Sequence, residues 1–148
     1  MRSPRIFTHK GFTLLEILIA TAIITMMAGV GLVFSIDAYR GYLFHAERNT
    51  AVAVLQKARS RALNNMYQAP HGVRFESSSY ILFRGNSYVA GNPSNEDIPK
   101  NTNIAISGPA EIVFSQLSGD ASPTGDITIS DGLRSKVISI NNEGRINW

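Results

Sequence analysis

Cysteine is missing from all 148 residues. That removes disulfide bracing, thiolate nucleophiles and cysteine-based metal sites, although it assigns no compartment. A domain held outside a membrane commonly uses a disulfide, so this chain must rely on its core and on assembly partners. Histidine is nearly as scarce. His9, His45 and His71 lie far apart, and no pair has metal-ligand spacing. No phosphate-binding loop and no nucleophile elbow is present. Enzyme chemistry therefore finds little support, and neither a cofactor nor a metal is implied. Two further gaps are local: no charged residue occurs from Ile17 to Ile36, and no proline between Pro4 and Pro70.

The uncharged stretch is rich in Leu, Ile, Met, Val, Ala and Gly. Twenty helical residues span about 30 Å, the thickness of a bilayer's hydrocarbon core. Before it stands a basic leader holding Arg2, Arg5 and Lys10 with no acid. Those three account for the whole formal net charge of +3, leaving eleven basic against eleven acidic residues from Phe12 onward. The basic balance reads as a positive-inside anchor, and is poor evidence for nucleic-acid binding.

Beyond Ile36 the pattern changes without a breaker other than Gly29, Gly31 and Gly41. Apolar residues recur at helical intervals at Tyr39, Leu43, Ala46, Val52, Leu55, Ala58, Ala62 and Met66, with Arg48, Lys57, Arg59 and Arg61 on the polar face. The spacing predicts an amphipathic continuation, so that one helix runs from about residue 12 to about 65, roughly 80 Å long. Asn64-Asn65 and Pro70 mark its end. From His71 the period shifts to two. HGVRFE, SYILFRG, SYVAG, TNIAIS, EIVFSQL, DITIS and KVISIN read as short strands separated by turn residues. Alternation appears at Ile104/Ile106, at Ile127/Ile129, and at Val137 or Ile138 beside Ile140. Residues 91–101 and 117–126 are expected surface loops.

Glu16 is the anomaly, a carboxylate four residues into the apolar run that begins at Phe12. Intramembrane charge is costly. A cleaved signal peptide has a shorter apolar region, and an ordinary single-span anchor leaves Glu16 unexplained. The segment KGFTLLEILIATAII, with its basic leader and Gly11 before a Phe, resembles the N-terminus of type IV pilins and pseudopilins. The resemblance implies that a prepilin peptidase cuts between Gly11 and Phe12 and methylates the new amine on Phe12. It also gives Glu16 a partner, the positive amine of a neighbouring subunit in a filament. Two unit charges about 4 Å apart attract by about 4 kcal/mol at an effective dielectric of about 20. One departure stands out. Many pilins carry a proline about twenty residues into the mature helix, where this chain has AGVGLVF. Gly29 and Gly31 supply either local softness or close packing between helices.

The later part, with GVRFESSSYILFRG, EIVFSQLSGDASPTGDITISD and KVISINNEGRINW, looks like the GspH/FimT group of minor pseudopilins. Some members of its FimT branch bind DNA through C-terminal arginines in a Gly-Arg-x-Arg arrangement. Here Gly144-Arg145 is followed by Ile146 and Asn147, so the second arginine is gone. Asn-Glu-Gly would form a turn by itself. Arg134, Lys136 and Arg145 are the candidate DNA contacts, set against the plainer reading of solvated surface charge. Asp120, Asp126 and Asp131 lack a calcium ligand ladder and read as turn aspartates.

The expectations are an α+β pilin fold, with a long N-terminal helix packed on a C-terminal antiparallel β-sheet domain. Residues 1–11 are the leader, 12–36 the transmembrane half of the helix, 37–66 its amphipathic half, and 67–148 the β-rich domain. The resemblance implies a structural minor pilin or pseudopilin precursor of a type IV pilus or type II secretion pseudopilus. A DNA-binding minor pilin for natural transformation is the alternative. Implied partners are the prepilin peptidase, other pilin subunits, an inner-membrane assembly platform and the membrane, with DNA less favoured. The implied location is the inner (cytoplasmic) membrane, crossed once, with the leader in the cytoplasm and the globular domain outside, and then the filament.

Overall fold

With no proline to interrupt it, the segment after Gly11 forms one α-helix, α1, Leu14–Leu63. The computed structural model describes residues 11–148, and for residues 31–34 the backbone alone. The leader up to Lys10, and the surroundings of Gly31, lie outside the described residues. The chain divides into two compact units, with the boundary after Arg40.

In the first unit the helix is exposed throughout its described side chains. It is long and apolar enough to cross a membrane by length and composition. Two threonines inside the apolar run are internally satisfied. Thr21 Oγ1 donates to the Leu18 carbonyl at 3.0 Å, and Thr25 Oγ1 to those of Thr21 and Ala22 at 3.0 and 2.9 Å. Such back-bonding lets a threonine sit in an apolar medium without a stranded hydroxyl.

In the second unit, from Gly41, the helix buries a stripe at i, i+3 and i+4 spacing: Phe44, Glu47, Ala51, Val54, Leu55, Ala58 and Ala62. That stripe differs from the expected one in its first turns. Ala46 and Tyr39 are exposed and Leu43 is half-buried, while Met66 falls in a 3-10 turn, Met66–Gln68. The inward carboxylate at Glu47 is what hides the true face in the sequence. α1 ends as Asn65 adopts a left-handed conformation, with φ 53°. The Ala62 carbonyl then accepts from the amides of Asn65 and Leu117 at 3.1 and 3.0 Å, satisfying a helix-end acceptor.

Nine strands follow: β1 His71–Phe75, β2 Ser79–Arg84, β3 Glu96–Pro99, β4 Ala105–Ser107, β5 Glu111–Phe114, β6 Ala121–Ser122, β7 Gly125–Ser130, β8 Ser135–Ile140 and β9 Ile146–Asn147. They form two antiparallel sheets, ordered β3-β2-β1-β5-β6 and β4-β7-β8-β9. Val73, Tyr80, Leu82, Ile112 and Phe114 from the first sheet, and Ile127, Ile129, Ile138 and Ile140 from the second, join the helical stripe in one core. The arrangement is α+β, a long apolar helix with antiparallel sheets, as expected of a pilin fold.

Three local expectations change. Residues 96–99, read as part of a loop, are the edge strand β3; Pro99 is tolerated because an edge strand needs pairing on one side only. SYVAG is not a strand but a loop over the outer face of β1 and β2. There the Tyr88 ring meets Phe83 edge-on at 6.0 Å, and Glu111 Oε1 accepts from Ser87 Oγ at 3.0 Å. Within 117–126, Ala121–Ser122 pairs with β5. At β8 the inward residue is Ile138, and Val137 faces out.

Candidate functional site

Gly11, Phe12 and Thr13 precede the helix, and each is exposed. A side chain added at Gly11 would meet nothing within 4 Å, and Phe12 is 77% exposed. The backbone between them is therefore open to approach from outside. Thr13 is the N-cap. Its Oγ1 accepts from the Glu16 amide at 3.2 Å, and its carbonyl from the Ile17 amide at 3.2 Å. Thr13-Leu14-Leu15-Glu16 thus has the spacing of a capping box, with an acid in the first turn, where the helix dipole favours negative charge. Thr13 was not singled out by the sequence reading, although Thr-x-x-Glu before an apolar run is a recognisable signal. The Glu16 carboxylate is exposed, and no ion pair among the described residues includes it.

The three candidate basic residues do not gather. Arg134 is the last residue of the β7–β8 turn, and its guanidinium lies 2.6 Å from where a side chain on Gly41 would begin. Lys136 is exposed on β8, opposite Ile129. Arg145 lines an open groove of about 440 Å³ with Gln56, Arg59, Ser60, Leu63, Asn64 and Ile146. Gly41 and Arg59 are separated by about 27 Å of helix axis, so Arg134 and Arg145 serve different surfaces. Gly144, with φ +67°, closes the turn before β9, its amide donating to the Asn141 carbonyl at 2.9 Å. A side chain there would begin 2.0 Å from the Gly119 carbonyl oxygen.

What the sequence did not reveal is where the acids go. Glu47, 8% exposed, accepts from the Tyr80 hydroxyl at 2.6 Å and from the Asn101 amide at 3.2 Å. Burial, reinforced by that acceptor, pushes the Tyr80 hydroxyl well above the usual tyrosine range. Glu96 is held by Lys57 and by Arg61, the latter at 2.7 Å; the hydrogen bond from Lys57 leads in lowering its pKa. Lys57 and Arg61, expected on a solvated face, are thus partly committed to β3. Asp131 accepts from the amides of Arg134 and Leu133 at 2.6 and 3.0 Å, and these bonds, the first above all, hold its carboxyl below the ordinary range. His45 is exposed, while His71 is buried with Nε2 3.0 Å from the Met66 carbonyl. No group of three or more His, Asp or Glu side chains among the described residues is placed to hold a metal ion.

No curated protein and no solved structure is matched by the chain. Residues 7–32 match a family described as the prokaryotic N-terminal methylation motif. That segment contains Gly11, Phe12, Thr13 and Glu16, and the match supports a type IV pilin or pseudopilin precursor.

Proposed function

We propose that the protein is a structural minor pilin or pseudopilin, cut between Gly11 and Phe12 by a prepilin peptidase and methylated on the new Phe12 amine. The leader stays in the cytoplasm, α1 crosses the inner membrane once, and the β-rich domain stands outside before entry into a type IV pilus or a type II secretion pseudopilus. The observation that carries this reading is an exposed Gly11–Phe12 bond inside a matched methylation motif, just before a capped apolar helix. In assembly Glu16 neutralises the Phe12 amine of a neighbouring subunit and sets its register. The pairing gains strength because both charges leave water together. Assignment to the GspH/FimT group rests on the later segments alone. The test is intact mass after co-expression with a prepilin peptidase. Loss of residues 1–11 plus one methyl group is expected, and Gly11→Val, which adds bulk at the scissile bond, should abolish it. An unshifted wild-type mass beside an active peptidase refutes the proposal.

The second reading, a DNA-binding minor pilin, is favoured by one feature: Arg59 and Arg145 line a single groove with no acidic side chain. Two cations give a shallow dependence on salt, because each phosphate contact contributes about one unit of slope. Submicromolar duplex binding that weakens with salt and is lost in Arg145→Ala would make this reading the primary one.

A further inference from the structure

The β7–β8 turn carries features that neither the core nor the N-terminal motif uses. Leu133 at its tip is 73% exposed, and Val137 beside it is exposed as well. Lys136 projects from the same hairpin and is exposed. An exposed leucine on a floppy tip would mean little, but this turn is built. The Asp131 carboxylate accepts from both the Leu133 and Arg134 amides, and the Asp131 amide donates to the Arg134 carbonyl at 3.1 Å. Its acid is thereby turned onto the turn's own backbone. The Arg134 guanidinium lies against Gly41, which leaves the space that a larger residue would fill.

Gly41 fixes what the tip can reach. It is five residues beyond Ile36, the last residue of the uncharged run, and five residues span at most about 18 Å in any conformation. If that run crosses the bilayer, the hairpin tip is tethered within one arginine side chain of a point close to the headgroup layer. An exposed leucine with the exposed Lys136 three residues on suits that layer. The apolar side chain enters the acyl boundary, and cations meet anionic headgroups.

We propose that the β7–β8 turn is a membrane-surface contact, in which Leu133 inserts shallowly into an anionic bilayer and Lys136 binds its headgroups, holding the unassembled subunit's domain against the membrane. The contact rests on the membrane-anchored reading of the N-terminal run. Extraction into a filament would break it, so it opposes assembly until neighbouring subunits replace it.

The absence of cysteine permits single-site labelling of the full-length chain. Leu133→Cys carrying an environment-sensitive dye is reconstituted at no more than one molecule per vesicle, in neutral or phosphatidylglycerol-containing bilayers, with brominated lipid as quencher. Leu117→Cys is the control. It is similarly exposed, at 63%, and its backbone bonds to Ala62, near the far end of the helix. Ile23→Cys reports whether the apolar run itself is in lipid. Expected are blue-shifted, quenched emission at Leu133 in anionic vesicles, a water-like signal at Leu117, and weakening in high salt. Lys136→Ala should reduce the bound fraction ratio about fivefold, the effect of one cation near an anionic surface, and Lys136→Arg should restore it. Equal signals at Leu133 and Leu117, with Ile23 quenched, overturn the contact while leaving the anchor intact. An unquenched Ile23 overturns the anchor, and the contact with it. A Leu133 signal that appears only when vesicles hold several copies identifies a second subunit as the partner and also overturns the proposal.

Discussion

Breaking the Glu47–Tyr80 pair should destabilise the domain by more than an average surface hydrogen bond. All hydrophobic-core residues lie from Phe44 onward, so a fragment of residues 39–148 should fold and stay soluble for the measurement. Tyr80→Phe keeps the ring and deletes the donor, leaving a carboxylate that is 8% exposed with only the Asn101 amide at 3.2 Å. Loss of a hydrogen bond to a charged acceptor costs about 1.5–3 kcal/mol, and we expect about 2. Glu47→Leu strands the buried hydroxyl and the Asn101 amide, each costing about 1–3 kcal/mol, offset in part by apolar burial. The double variant removes both halves of the pair. Its cost should fall below the sum of the single costs by about 1.5 kcal/mol. Urea unfolding at pH 7 measures all four proteins. A second signature comes from alkali. The unfolded tyrosine ionises near 10.0, while the folded one stays neutral to higher pH. Above pH 10 the native state therefore binds more protons than the unfolded state. The stability contributed by Tyr80 is complete below that pH and is lost as pH rises, by up to about 1.4 kcal/mol per unit. Tyr80→Phe should lack this component. Additive single costs, or identical alkaline slopes in wild type and Tyr80→Phe, would refute the reasoning.

Gly144→Ala should cost about 1–3 kcal/mol from the left-handed backbone alone, and more because its side chain would begin 2.0 Å from the Gly119 carbonyl oxygen; the unfolding midpoint reads this. Glu96→Gln should cost less than about 1 kcal/mol at pH 7, because its carboxylate is 40% exposed and salt screens the pair. The lowered pKa of Glu96 means that its contribution is present above the ordinary carboxylate range and lost as pH falls through the folded value, so the variant and wild type should converge in acid. Glu16→Leu should insert into membranes as well as wild type or better, yet be depleted from sheared filaments; equal filament content at matched membrane levels refutes the register role.

The sequence by itself determined the helix and its two characters, because those depend on composition and local spacing. An uncharged run of twenty residues, no proline before Pro70, and Thr-Leu-Leu-Glu at the start define the element without reference to the rest of the chain. Strands with inward isoleucines, such as Ile127/Ile129, were legible for the same reason. Long-range partners decided the rest. Glu47 breaks the helical pattern when read alone, and only distant donors, the Tyr80 hydroxyl and the Asn101 amide, make its inward position satisfiable. Glu96, in a stretch with the composition of a loop, becomes an edge strand because β2 offers backbone partners and α1 offers Lys57 and Arg61. Arg134, Lys136 and Arg145 lie within twelve residues of one another in sequence, yet β8 and its flanking turns carry Arg134 to Gly41 and Arg145 to Arg59. Charge counts are additive along a chain. Whether charges act together depends on separations that only the packed sheets and helix set.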